Sequence, residues 1–126
     1  MTVTDVRPLT DGEAIYLAGL LEGEGCFDAQ GANPRVRVKM TDLDIIMRAA
    51  NLMGSTYYGD PGGLAKGHKM AYVAQVTGHR AAHVMRSILP HMGIRRSGRI
   101  VDLLQAFDAH TRPTPSLAVA VVRSAA

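Results

Sequence analysis

Glu22 and Glu24 stand at the end of a helical stretch, Tyr16–Phe27 (YLAGLLEGEGCF), where a helix tolerates acids least. The C-terminus of a helix carries a partial negative charge, so carboxylates there raise its energy and call for a positive group to offset them. Gly19 and Gly23 break a second rule, since each costs about 1 kcal/mol relative to alanine in a helix interior. Four residues apart, they share one helix face and let another backbone come close.

A second constellation is Arg35, Arg37 and Lys39, which alternate with Val36, Val38 and Met40. Period two places the apolar set on one face of a strand and the cations on the other. Charges on the wet face of a sheet are common. Three cations with no interleaved acid would nevertheless repel one another unless phosphates or base edges lay opposite them. A third is the basic pair Arg95-Arg96 in LPHMGIRRSG, which by itself reads as a plain basic loop. Two other patterns carry no chemistry. His79 and His83 lie four apart, but HRAAH lacks the glutamate of a zinc-protease motif and a third ligand, so they read as surface histidines. GDPGGLAKG lacks the spacing of a phosphate-binding loop and reads as a mobile, basic loop tip.

The elements that must position these groups follow in order. Residues 1–9 suit an extended arm, and Thr10 with Glu13 forms a capping box for a first helix, Asp11–Glu22. That helix is apolar on nearly all sides, which implies burial against its own domain and against a partner. A hairpin begins at Cys26, turns over Gly31–Pro34 and returns along Arg35–Thr41. A second helix runs Asp42–Met53, with Asp42 as its start and Gly54 as its C-cap. Ser55–Tyr58 and Lys69–Thr77 make a second hairpin, followed by helices over His79–Leu89 and, capped by Ser97, to about Ala109. The tail breaks at Pro113 and Pro115 before an apolar run, Leu117–Val122. The order predicts an α+β domain with one antiparallel sheet.

At 126 residues, 47% hydrophobic, the chain is expected to be a single domain with a real core. A net charge of +3 permits nucleic-acid binding without demanding it. The single cysteine, Cys26, excludes an internal disulfide and is expected to be a small buried residue in a reducing, cytoplasmic setting. No apolar run reaches the length of a membrane span, and no membrane partner is expected.

Leu17–Gly25, LAGLLEGEG, closely resembles the LAGLIDADG motif of the homing endonucleases, keeping Leu17, Ala18, Gly19, Leu20 and Gly25 with glutamate at both acidic positions. The resemblance implies an αββαββα fold over roughly residues 10–110, with a four-stranded antiparallel saddle sheet and the helices on one face. It implies a helix-pair dimer interface over Ala18, Gly19, Glu22 and Gly23, with acids from both chains converging on divalent cations, most plausibly Mg²⁺. Glu24 takes the place of the metal-binding carboxylate, and the Gly23 carbonyl that of the backbone oxygen beside it. Asp42 falls where the family often has a polar residue near the attacking water, although it serves equally as an N-cap. Arg95 or Arg96 matches a basic residue after the third helix. The expected DNA-binding residues are Asp28, Gln30, Arg35, Arg37, Lys39, Tyr57, Lys69 and Gln75. Only one motif occurs, and two strands of a duplex need two sites, so a C2 homodimer is implied. The resemblance points to a double-stranded DNA endonuclease making a staggered cut. The alternatives are a non-catalytic DNA-binding regulator or an RNA-splicing maturase on the same fold, with a dimeric structural or small-ligand module behind them.

Overall fold

In the computed structural model, which describes residues 7–111, the chain runs α1 (Asp11–Glu24), β1 (Gly25–Gln30), β2 (Asn33–Met40), α2 (Leu43–Met53), β3 (Tyr57–Asp60), β4 (Ala71–Thr77), α3 (Gly78–Ile88) and α4 (Ile94–Thr111). Short 3-10 segments cover Pro61–Lys66 and Leu89–His91. The order is the one expected. The Leu117–Val122 run and the start of the N-terminal arm lie outside the described residues.

The sheet is antiparallel throughout, with strand order β1-β2-β4-β3. Phe27, Val36, Val38, Ala74 and Val76 join the main core with Leu17 and Leu21 of α1, Ile46 and Met53 of α2, Met85 and Ile88 of α3, and Ile100 and Phe107 of α4. All four helices therefore cover one face, and the other face of the sheet is open. Val73 is the exception that marks the open side. It is fully buried yet outside the core cluster, because Lys39 and Tyr58 flank it in the ladder on that face.

α1 begins on the predicted capping box: Thr10 Oγ1 accepts from the Glu13 N–H at 3.1 Å, and the Glu13 carboxylate accepts from the Thr10 N–H at 2.9 Å. Arg7 donates to the same carboxylate at 2.9 Å, and chiefly this bond pulls the Glu13 pKa down to about 2. α1 runs two residues past the expected end, to Glu24, and passes directly into β1 through Gly25. There only glycine fits, since a Cβ would sit 2.7 Å from the Leu21 carbonyl oxygen.

The other boundary differences have local causes. The first hairpin turns on two residues, Gly31 and Ala32, with Gly31 at φ 63°, so Asn33 and Pro34 belong to β2. Pairing of β2 with β4 starts only at Arg35, so at Pro34 the strand is still an edge on that side and tolerates the missing N–H. Thr41 falls outside β2. β3 is shifted to Tyr57–Asp60, and β4 starts at Ala71, leaving Lys69 before the strand. The expected mobile tip is instead a 3-10 turn held by the Asp60 carboxylate on the Gly62 N–H at 2.9 Å. α4 starts at Ile94; Ser97 lies inside its first turn, where its hydroxyl donates to the Met92 carbonyl at 3.1 Å. His83 is half-buried, with Nε2 lacking a hydrogen-bond partner, so it is not the surface residue expected; His79 sets its ring against Phe107 at 5.1 Å.

Candidate active site and nucleic-acid interface

The last turn of α1 brings the two acids to opposite fates. Glu22 turns to its own chain: Oε1 accepts from the Gly93 N–H at 2.6 Å, and Oε2 lies 3.7 Å from Arg96 Nε. The positive group expected at this helix end is thus Arg96, which also donates to the Gly25 carbonyl 71 residues away in sequence. Glu24 is exposed, and no hydrogen bond or ion pair among the described residues engages it. The Gly23 carbonyl belongs to the last helical turn, whose C=O groups have no partner within the helix. A free carboxylate beside a free carbonyl is a hard-oxygen donor set of the kind that suits Mg²⁺ or Ca²⁺. Among the described residues, no three His, Cys, Asp or Glu side chains of one chain come together to hold a metal alone.

The outer face of α1 carries Gly12, Ile15, Gly19 and Gly23, all exposed. A Cβ at any of these three glycines would meet no other atom within 4 Å, so nothing inside the chain requires glycine there. Ala18 differs from its neighbours in the expected interface. It is 1% exposed and packs into the chain's own core, and with Glu22 tied inward only Gly19 and Gly23 of the four lie free on the outer face.

Arg95, Arg96 and Arg99 project from the start of α4 to line a cleft of about 370 Å³ with Gly25, Cys26 and Phe27 of β1. Arg96 donates to the Gly25 carbonyl at 2.7 Å and Arg99 to the Phe27 carbonyl at 3.3 Å. β1 is an edge strand, so these bonds occupy carbonyls that an edge leaves open. Arg96 is thereby committed to holding α4, β1 and Glu22 together, whereas Arg95 is exposed and free of such bonds among the described residues. Asp42 occupies the N-cap position of α2, but its side chain makes no capping bond, so its carboxylate is uncommitted. Because Gly25 pairs with Val38, the end of α1 and the β2–α2 junction carrying Asp42 fall at the same end of the sheet.

The open face is built by register. One row crosses Cys26, Arg37 and Gln75; the next crosses Asp28, Arg35 and Thr77; another crosses Lys39, Val73 and Tyr58. Gln30 shares this face at the end of β1. Cys26 is exposed here rather than buried as expected, since it alternates with the inward Phe27. Acids are interleaved after all. Asp28 takes Arg35 bidentately, Nε at 2.7 Å and Nη2 at 2.6 Å, and Asp60 takes Lys39 at 2.8 Å. These partners hold both carboxyls below the usual range, chiefly through the Arg35 bond on Asp28 and the Lys39 bond on Asp60. Arg37 alone of the three cations lacks a carboxylate partner among the described residues, and its Nε is buried with no hydrogen bond.

Tyr57 is corrected by the same register. It pairs with Ala74, on the helix side, whereas Tyr58 pairs with Val73 on the open face. Two adjacent tyrosines give no alternation to read, and a slip of one residue exchanges their faces. Lys69 is exposed but precedes β4, so the ladder gives it no place on the open face. The residues not foreseen are Tyr58, Asp60 and Arg99. Arg99 lies three and four residues from Arg96 and Arg95, a helical spacing visible once α4 is started at Ile94.

No protein-family model matches the chain. No curated protein matches it either. Among solved structures, the chain is similar to the crystal structure of the homing endonuclease I-CvuI in complex with its target in the presence of calcium, with a TM-score of 0.60 and 17% sequence identity. The match covers 75% of this chain, and the chain spans 65% of that one. The α+β architecture, four antiparallel strands with helices, is that of a homing endonuclease. The fold and the Leu17–Gly25 motif thus lead to the same family resemblance.

Proposed function

We propose that the homing-endonuclease fold of this chain works as a homodimeric, sequence-specific DNA endonuclease that makes a staggered double-strand cut with divalent-metal help. The observation that carries the reading is the end of α1, where an exposed, unengaged Glu24 carboxylate closes a helix whose outer face is lined with glycine. Both features are costly to a lone helix. Pairing of two α1 helices through Gly19 and Gly23 gives the glycines a use and brings two Glu24 carboxylates together at the middle of a two-fold assembly.

In this reading, Glu24 and the Gly23 carbonyl would hold a divalent cation, preferably Mg²⁺, as hard oxygen donors. Such a cation would supply activation of water and stabilisation of the departing 3′ oxygen. Asp42, with its carboxylate free, orients or accepts a proton from water near the scissile phosphate, and Arg95 offsets the charge that develops there. Arg96 positions these groups by fixing α4 against β1. The open face, with Gln30, Arg35, Arg37, Lys39, Tyr58 and Gln75, lies along the major groove.

The test is cleavage of a plasmid library of random target sequences with Mg²⁺. Enrichment of linear products broken at one sequence supports the reading. Tight duplex binding with no cutting turns it into the regulator on the same fold.

A further inference from the structure

We infer that the Asp28–Arg35 pair is a preorganised guanine reader, so that each half of the target carries one guanine set by this pair. The inference rests on the proposed DNA-binding face and adds the base it selects. Asp28 and Arg35 are directly opposed across β1 and β2, and the carboxylate takes Arg35 by Nε and Nη2. A guanidinium has five N–H donors in a rigid fork. Two are used, and the remaining three are both hydrogens of Nη1 and one of Nη2, which form the end of the fork. That end matches two neighbouring acceptors, and in the major groove guanine offers them as O6 and N7.

A phosphate also offers two acceptor oxygens, but charge decides between them. With Asp28 attached, the pair is neutral, and an approaching phosphate would meet the carboxylate as well as the guanidinium. Guanine brings no charge. Position agrees, because β2 is an inner strand and Arg35 therefore does not stand on an edge of the open face. Lys39 is paired too, to Asp60, but an ammonium has no planar fork, so its contact with two base acceptors is less directional than that of Arg35. The pair also fixes Arg35 before DNA arrives, so little side-chain freedom is lost on binding.

Selection from randomised duplexes, read at each position for wild type, Asp28→Asn and Arg35→Lys, tests this. Wild type should show a position where guanine is preferred by about tenfold or more over any other base. Arg35→Lys keeps the charge but replaces the planar fork by a less directional ammonium, and should weaken that preference clearly while leaving the other positions intact. Asp28→Asn should reduce the preference at the same position and steepen the salt dependence by about one counterion, as the released Arg35 turns to phosphate. If Asp28→Asn fails to fold, the Arg35→Lys profile decides alone. Unchanged preferences at every position in both variants would overturn the inference and leave the pair a structural bridge, with the endonuclease reading intact. A base other than guanine at the affected position would also overturn it. A wild-type protein that binds no duplex would end both.

Discussion

Arg37 sits at the centre of the open face, between Cys26 and Gln75 in its row and between two arginine or lysine residues already held by acids. Of the three β2 cations only Arg37 has no carboxylate partner among the described residues, which in the proposed reading leaves its guanidinium for DNA. Arg37→Ala should weaken binding by about 1–3 kcal/mol if it reads a base, or flatten the salt dependence by about one counterion if it meets a phosphate. Titrations at several salt concentrations distinguish the two, and unaltered affinity at every salt would return the residue to ordinary surface. The tyrosines give a sharper contrast. Tyr58→Ala should reduce DNA affinity, whereas Tyr57→Ala, on the helix side of the sheet, should leave it unchanged in the same titration. Period two in Arg35–Met40 was legible because valines and cations alternate strictly there. The partners of those cations were not, because Asp28 and Asp60 come from other strands and only register joins them.

At the scale of elements, α1 carries two separable duties. Its inner side, Leu17, Ala18 and Leu21, is fully within the core, and its outer side presents glycines with open space. Gly19→Val should therefore leave the single chain folded, with little change in its circular dichroism spectrum. It should shift sedimentation from dimer to monomer, and an unchanged dimer would remove α1 as the pairing helix. Thr10→Ala breaks the capping box at the other end and should cost about 1 kcal/mol in denaturant unfolding, without touching DNA specificity. The cap, the turn glycines and the helix–strand order were readable because each depends on neighbours in sequence. The true ends of α1 and α4 were not, since they meet across 71 residues, where Glu22 accepts from the Gly93 N–H and Arg96 donates to the Gly25 carbonyl. The motif marked the right helix end, but contacts from α4 decided which of its two acids stays free.

On the scale of the whole molecule, the helices bury one face of the sheet and leave the other open, and the chain carries a net charge of only +3. With Asp28 and Asp60 neutralising two cations, the proposed reading gives only modest general attraction to phosphate and assigns much of the affinity to sequence-specific contacts. Among the described residues no three His, Cys, Asp or Glu side chains come together, and in the proposed reading cutting depends on the pair of chains. Cutting should then fall with dilution below the dimer dissociation constant, more steeply than expected for a monomer. The most direct test of the account is a comparison of binding and cutting by wild type and Glu24→Gln on the selected site, in Mg²⁺ and in Ca²⁺. Wild type should cut in Mg²⁺, while Glu24→Gln should bind with near wild-type affinity and cut at a small fraction of the rate. Calcium should sustain wild-type binding with little cutting. Equal cutting by Glu24→Gln and wild type, or tight binding by wild type with no Mg²⁺-dependent cutting, would contradict the account.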